Sequence, residues 1–126
     1  MDQDKKKILL VDDDVTFTRL VKLYLEETDR FEVRVENKGL NGLHTARAMH
    51  PDLILLDIVM PDREGSEIAS DLKSDPVTDT IPIVFMTGTV VDEELPSDGR
   101  IGGYPFLAKP VRMEELLRCI EENIRS

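Results

Sequence analysis

The chain has 126 residues and a mass of 14.3 kDa, the usual size of one domain, so a single fold with one core region is expected. A hydrophobic content of 40% and a charged content of 33% are typical of globular proteins and argue against a disordered chain. With 26 acidic and 16 basic residues, the net charge of -10 disfavours direct binding to nucleic acid and to anionic membranes.

The cysteine content and the hydropathy favour a cytoplasmic protein. Cys119 is the only cysteine, so no internal disulfide is expected. The apolar run at residues 8–11 is too short for a signal peptide, and no other run approaches the length of about 18 apolar residues that a membrane span requires. We therefore expect one soluble domain over residues 1–126, without an output domain.

Short apolar runs in the chain predict β-strands. Residues 8–11, 53–56 and 83–86 are continuously apolar, which is typical of strands buried on both faces of a parallel sheet. Residues 31–36 alternate apolar with charged side chains, which predicts an edge strand. Residues 104–108 include Pro105, which cannot donate a ladder hydrogen bond, so this run is predicted at the other edge.

Segments whose apolar residues have helical spacing lie between these runs. One predicted helix buries a stripe formed by Phe17, Leu20, Val21, Tyr24 and Thr28. A C-terminal helix buries a stripe formed by Met113, Leu116, Leu117, Ile120 and Ile124. Shorter helices are predicted at residues 40–49 and 66–73. Between residues 88 and 103, a proline and several glycines leave only residues 92–97 for a fourth helix, which we expect to be short or irregular. This alternation predicts an α/β fold with one parallel sheet between helices.

Polar side chains follow the carboxyl ends of four predicted strands. The sites are the acids at residues 12–14, Asp57, Thr87 and Lys109. Because parallel strands end at the same edge of a sheet, these groups should meet there. Several carboxylates at one point require a cation, and oxygen ligands favour Mg²⁺ or a relative such as Mn²⁺. Coordination positions left open by the protein, together with Lys109 and Thr87, indicate a phosphoryl ligand. No glycine-rich phosphate loop is present in the sequence, which argues against a bound nucleotide.

Four motifs together resemble one family. They are Ile-Leu-Leu-Val-Asp-Asp-Asp at residues 8–14, Pro-Asp-Leu-Ile-Leu-Leu-Asp-Ile-Val-Met-Pro-Asp at 51–62, Val-Phe-Met-Thr-Gly at 84–88 and Phe-Leu-Ala-Lys-Pro at 106–110. Their order and spacing resemble a receiver domain of the two-component response regulators, of the chemotaxis-regulator type. The resemblance implies a doubly wound, flavodoxin-like (βα)5 fold with strand order 2-1-3-4-5.

The resemblance also implies a phosphorylation reaction. Asp57 would accept a phosphoryl group from a sensor histidine kinase or a histidine phosphotransfer protein. Asp12, Asp13, Asp57 and the backbone carbonyl of Val59 would hold Mg²⁺, and Lys109 would pair with the phosphoryl group. Such a domain modifies only itself, so it is not expected to be an enzyme in the usual sense.

A conformational switch is implied by the same family pattern. The Thr87 hydroxyl would turn towards the phosphoryl group, and Phe106 would move inward to fill the space. Because Phe106 lacks the hydroxyl of the more familiar tyrosine, we expect a smaller free-energy gap between its two positions. The signal would pass to a downstream protein or a fused output domain. A homodimer through the surface beside the fourth helix remains open, and the Lys109-Pro110 bond is expected to be cis.

Plainer interpretations stand beside this one. The acids at residues 12–14 could simply cap a helix, and Asp14 is expected to do so. His44, His50 and Cys119 are not candidates for a site. An aspartate-nucleophile phosphatase of the haloacid dehalogenase type would need a second carboxylate where Val59 stands. A phosphorylation-independent interaction module with the same fold is the other alternative.

Overall fold

The computed structural model describes residues 5–88 and 100–124. The elements, in chain order, are β1 (Lys6–Val11), α1 (Val15–Glu27), β2 (Phe31–Glu36), a 3-10 turn (Gly39–Asn41), α2 (Gly42–Met49), β3 (Leu53–Asp57), α3 (Gly65–Lys73), β4 (Ile83–Thr87), β5 (Arg100–Ile101), β6 (Tyr104–Ala108) and α4 (Met113–Asn123). The predicted fourth helix at residues 92–97 lies outside the described residues. Within the described residues, no helix is both long enough and apolar enough to cross a bilayer.

The sheet has the order β2-β1-β3-β4-β6-β5. The first five of these strands pair in parallel, so the predicted doubly wound α/β fold is confirmed and β2 forms one edge. The apolar strands lie in the centre, as their sequences predict. Every residue of β3 and of β4 is buried, because helices cover both faces of these strands.

The opposite edge of the sheet differs from the prediction. The strand at Tyr104–Ala108 is not the outermost one, because the two-residue strand β5 pairs with it in antiparallel fashion. Gly102 and Gly103 connect the two strands with φ values of 59° and 90°. Positive φ at both central residues is typical of a tight hairpin turn and is easily adopted by glycine. The glycines that we interpreted as helix breakers therefore form a hairpin.

Alternating residues of the strands contribute to two separate cores. One core contains Ile8 and Leu10 of β1 with residues of α1 and α4. The other contains Leu9 and Val11 of β1 with residues of α2 and α3. The helices therefore form a layer on each face of the sheet, which is the arrangement of an open α/β fold.

Helix α1 is rotated slightly from its predicted orientation. Its buried residues are Thr18, Val21 and Leu25, whereas Leu20 is 53% exposed. The prediction that Leu20 belongs to the buried stripe is therefore wrong. The start of the helix follows the sequence more closely: Asp14 is the N-cap, and its Oδ1 accepts a hydrogen bond of 3.0 Å from the Phe17 amide.

Candidate functional site

The carboxyl ends of four parallel strands meet at one edge of the sheet. Asp12 follows β1, Asp57 ends β3, Thr87 ends β4 and Lys109 follows β6. The register places Asp57 beside Met86 and Thr87 beside Ala108, and the Lys109 amide donates a 2.7 Å hydrogen bond to the Thr87 carbonyl. The sheet therefore brings together groups that are far apart in the sequence.

Three carboxylates form a cluster at this edge. Asp12, Asp13 and Asp57 each offer one oxygen, and these oxygens lie within 4.8 Å of one another. Asp12 is fully buried and Asp57 is 5% exposed, whereas Asp13 faces solvent. An all-oxygen cluster that is open to water on one side suits a hard divalent cation such as Mg²⁺, which usually takes one or two carboxylates and keeps water molecules.

Hydrogen bonds hold Asp12 in place. One of its carboxylate oxygens accepts a 2.9 Å bond from the Asp14 amide, and its carbonyl accepts a 2.8 Å bond from the Asn37 side chain. The other carboxylate oxygen accepts a 2.6 Å bond from the Lys109 ammonium, which also lies 3.7 Å from an oxygen of Asp57. The ammonium therefore bridges two of the three acids.

The cluster perturbs the ionisation of its members. Burial, followed by the negative charge of Asp12, raises the pKa of Asp57 from its ordinary value of 3.8 to about 6. Burial alone would lower the pKa of Lys109. The hydrogen bond and the charge of Asp12, with a contribution from Asp57, outweigh burial and raise that pKa above its usual value. Without a divalent cation, ionisation of Asp57 beside the negative charge of Asp12 is therefore disfavoured.

Thr87 has an unusual environment for a buried threonine. It is 3% exposed, and within the described residues its Oγ1 is a buried side-chain oxygen without a hydrogen-bond partner. Leaving such a group unpaired costs about 1–3 kcal/mol. Thr87 ends the strand that pairs with the strand of Asp57, and an unpaired hydroxyl there is suited to an incoming acceptor such as a phosphoryl oxygen.

The other predicted residues lie around this pocket. The amide of Val59 lies 3.4 Å from an oxygen of Asp57, so the residue borders the cluster, although its side chain is 57% exposed. Phe106 lies on β6 next to Phe85 of β4 and is partly buried against the core under α2 and α3. The Lys109-Pro110 peptide bond is cis, as the resemblance implies.

The sequence analysis did not identify Gly65, which supports the loop after β3. Its amide donates a 2.7 Å bond to the Ile58 carbonyl. A Cβ atom at this position would lie 2.3 Å from the carbonyl oxygen of Asp57, so only glycine fits here without movement. Asp62, the last residue of the motif at residues 51–62, accepts 3.1 Å bonds from the amides of Gly39 and Leu40 and thus connects two loops. These contacts between loops leave no periodic signal in the sequence.

Three residues that we set aside are not among the carboxylates of the cluster. His44 and His50 are exposed, and Cys119 is half-buried in α4. Burial raises the pKa of the Cys119 thiol. That none of the three takes part in the reaction stays a prediction.

Comparisons with known proteins assign the family. The family model described as the response regulator receiver domain matches residues 8–121. The protein PilH of Pseudomonas aeruginosa is 34% identical over 114 residues, which cover 90% of this chain and 93% of that protein. The nisin biosynthesis regulatory protein NisR of Lactococcus lactis is 34% identical over 94% of this chain, but the match covers only 50% of NisR. The chain thus spans about half the length of several relatives that it matches.

The solved structures agree with this assignment. The chemotaxis protein CheY4 of Vibrio cholerae superimposes with a TM-score of 0.81 at 26% sequence identity, covering 94% of this chain and 98% of that protein. The agreement extends over nearly the full length of both chains, so it concerns the whole fold rather than one motif. The chain therefore belongs to the response regulator receiver domains of two-component signalling systems.

Proposed function

We propose that this receiver domain accepts a phosphoryl group on Asp57 and signals through the rearrangement that the new charge causes. The observation that supports this most directly is the environment of Asp57. Its nearly buried carboxylate ends a central strand, lies 3.7 Å from the Lys109 ammonium and shares a cluster with two further acids. A nucleophile, a cation-binding group and a neutralising charge are thus present in one pocket.

The reaction is a nucleophilic displacement at phosphorus. A carboxylate oxygen of Asp57 forms a bond to phosphorus while the bond from phosphorus to the donor atom breaks. The donor leaves with that electron pair, so a phosphoimidazole that is protonated on its other ring nitrogen leaves as neutral imidazole. Lys109 stabilises the negative charge that accumulates on the phosphoryl oxygens. In a separate second step, attack by water on the same phosphorus would break its bond to the Asp57 oxygen, release inorganic phosphate and return the free carboxylate.

Receiver domains bind Mg²⁺ through an acidic pocket, and the carboxylates of this chain fit that requirement. In our proposal, Asp12, Asp13, Asp57 and the carbonyl of Val59 hold the ion. When bound, Mg²⁺ neutralises the carboxylates and polarises the phosphoryl group. Mn²⁺ can take the same place because it also prefers oxygen ligands.

Thr87 and Phe106 form the proposed switch. The unpartnered hydroxyl of Thr87 gains an acceptor when Asp57 carries a phosphoryl group. Movement of Thr87 towards that group opens space that the partly buried ring of Phe106 fills. A local change in charge thereby alters the surface at β4 and β6.

A receiver domain is a signalling domain rather than a classical enzyme, and response regulators act with sensor kinases and often with output domains. We propose a histidine kinase or a histidine phosphotransfer protein as the donor, and a downstream protein or a fused output domain as the recipient of the signal. The net charge of -10 supports a protein partner rather than nucleic acid.

Intact mass measurement tests the proposal. Incubation with acetyl phosphate and Mg²⁺ should add one phosphoryl group, about 80 Da, and Asp57→Asn should prevent the gain because the nucleophilic oxygen is lost. Asp79→Asn provides the matched control. Asp79 is an exposed acid in the loop before the amino end of β4, whereas the cluster lies at the carboxyl ends of the strands.

Two outcomes would contradict the proposal. One is an unchanged mass with every small phosphodonor, which would favour the phosphorylation-independent module. The other is labelling that survives in Asp57→Asn. Multiple turnover on generic phosphoesters would instead support the hydrolase alternative.

A further inference from the structure

In the part of the chain that the structure describes, three groups lie beside the Lys109 ammonium. Two are the carboxylates of Asp12, at 2.6 Å, and of Asp57, at 3.7 Å. The third is the aromatic ring of Phe17, whose centroid lies 4.7 Å from Nζ. This distance lies within the range of about 6 Å in which the negative face of a ring attracts a cation.

The local structure of α1 places Phe17 at this position. The residue lies in the first turn of the helix, where Asp14 accepts a 3.0 Å hydrogen bond from its amide. The Phe17 side chain packs partly buried against the core between the sheet and helices α1 and α4. A capped helix end and a packed ring give the aromatic face a fixed location.

The ring differs from the two carboxylates in how it acts on the ammonium. Lys109 is only 20% exposed, so contact with the ring replaces part of its hydration. In the proposed function, the divalent cation and the Lys109 ammonium both interact with the carboxylates of Asp12 and Asp57. The ring is neutral and does not ligate a divalent metal ion, so its attraction to the ammonium persists when the carboxylates are neutralised.

We propose that Phe17 is a positioning residue for phosphorylation, and that its ring holds the Lys109 ammonium beside Asp57 through a cation–π interaction. The inference rests on the proposed function, because it assigns a partner to the lysine of that site. The family pattern from which we identified Asp57, Thr87 and Lys109 does not include this residue. In the sequence analysis, Phe17 was only one member of a helical stripe.

A plain packing role is the alternative, and fluorination of the ring distinguishes the two. Replacing Phe17 with phenylalanines that carry one, two and three fluorine atoms weakens the negative face stepwise and changes the shape little. We expect the rate constant for phosphorylation by acetyl phosphate, at fixed subsaturating donor and Mg²⁺, to fall stepwise by about three- to thirtyfold in total. The fold should be unchanged across the series because the ring keeps its shape, and any fall in the free energy of unfolding should not exceed the energy of the lost attraction between ring and ammonium.

Phe31 supplies a matched control. Its ring has a cation–π contact of the same kind, with the Arg30 guanidinium at 5.1 Å. Phe31 is the first residue of β2, however, and so lies at the amino ends of the strands, whereas the cluster lies at their carboxyl ends. Fluorination at Phe31 should leave the phosphorylation rate unchanged. Among natural residues, Phe17→Leu should slow the reaction, and Phe17→Tyr, which keeps an aromatic face, should restore most of the rate.

The outcomes separate this inference from the proposed function. If the unmodified protein is labelled on Asp57 and the fluorinated series at Phe17 reacts at a constant rate, the positioning role is wrong and the phosphoacceptor assignment stands. The same holds if the rates fall equally in the Phe17 and Phe31 series. If the unmodified protein is not labelled at all, the proposed function is wrong, and the inference fails with it.

Discussion

Two buried threonines at different places in the fold have opposite hydrogen-bonding states. Thr78 is fully buried and donates a 2.7 Å bond to the Leu72 carbonyl, whereas the hydroxyl of Thr87 has no partner among residues 5–88 and 100–124. Valine has nearly the same shape as threonine but carries no hydroxyl, so the same substitution tests the two environments. The comparison isolates the cost of an unpaired hydroxyl.

Replacing each threonine with valine should therefore change stability in opposite directions. Thr87→Val removes an unpaired polar group and should raise the free energy of unfolding of the unphosphorylated protein by about 1 kcal/mol. Thr78→Val leaves a carbonyl without its donor and should lower it by about 1 kcal/mol or more. Urea unfolding followed by circular dichroism measures both effects. Equal destabilisation by the two changes would show that Thr87 has a partner in solution.

Two helices near the site begin at glycines whose surroundings differ. Helix α3 begins at Gly65, where the chain passes directly behind Asp57. At Gly42, the first residue of α2, an added Cβ would instead make ordinary contacts, the nearest at 3.4 Å to Ile68. The two glycines therefore place different demands on the helices that they begin.

The same substitution at these glycines should have opposite effects. Gly65→Ala forces the β3–α3 loop away from its position and should destabilise the fold by about 1–3 kcal/mol, because the opposing atom is backbone. Gly42→Ala should be neutral or stabilise by about 0.5 kcal/mol through the lower entropy of the unfolded chain. Thermal unfolding measures the difference, and the phosphorylation rate should fall only in Gly65→Ala. Similar melting temperatures for both variants would show that this loop adjusts freely.

The sequence predicted those elements that a local pattern of residues determines, and it missed those that depend on contacts between elements. Continuous apolar runs predicted the central strands, and their ends predicted that Asp57, Thr87 and Lys109 meet, because strand direction alone decides where a parallel strand ends. The hairpin at residues 100–108 was missed, since two adjacent glycines suit both a broken helix and a tight turn. The contact between Phe17 and Lys109 was also missed, since it depends on the rotation of α1 against the sheet.

At the scale of the whole molecule, the fold carries an electrostatic cost at the site that a cation can relieve. The chain has a net charge of -10, and three of its carboxylates lie in one cluster beside a single ammonium. The raised pKa of Asp57 expresses this cost in the absence of a divalent cation. Any group whose pKa is higher in the folded than in the unfolded state couples folding to pH.

The sign of this coupling follows from proton binding. Between about pH 4 and about pH 6, folded protein retains a proton on Asp57 that unfolded protein has released. Stability contributed by this group is therefore present at low pH and is lost as pH rises through about 6. A change from 3.8 to about 6 corresponds to a loss of about 3 kcal/mol as an order of magnitude.

Asp57→Asn removes this group and should therefore abolish its contribution to the pH dependence of the free energy of unfolding. In the presence of a chelator, the free energy of unfolding of the variant relative to the unmodified protein should rise with pH between about 4 and 6 and then stay constant. The proposed Mg²⁺ site requires the ionised cluster of the folded state, so adding Mg²⁺ above pH 6 should stabilise the unmodified protein more than the variant. Asp79→Asn, whose carboxylate is exposed, should show neither effect. Parallel profiles for the unmodified protein and Asp57→Asn would contradict this prediction, because they would mean that the pKa of Asp57 is the same in the folded and the unfolded protein.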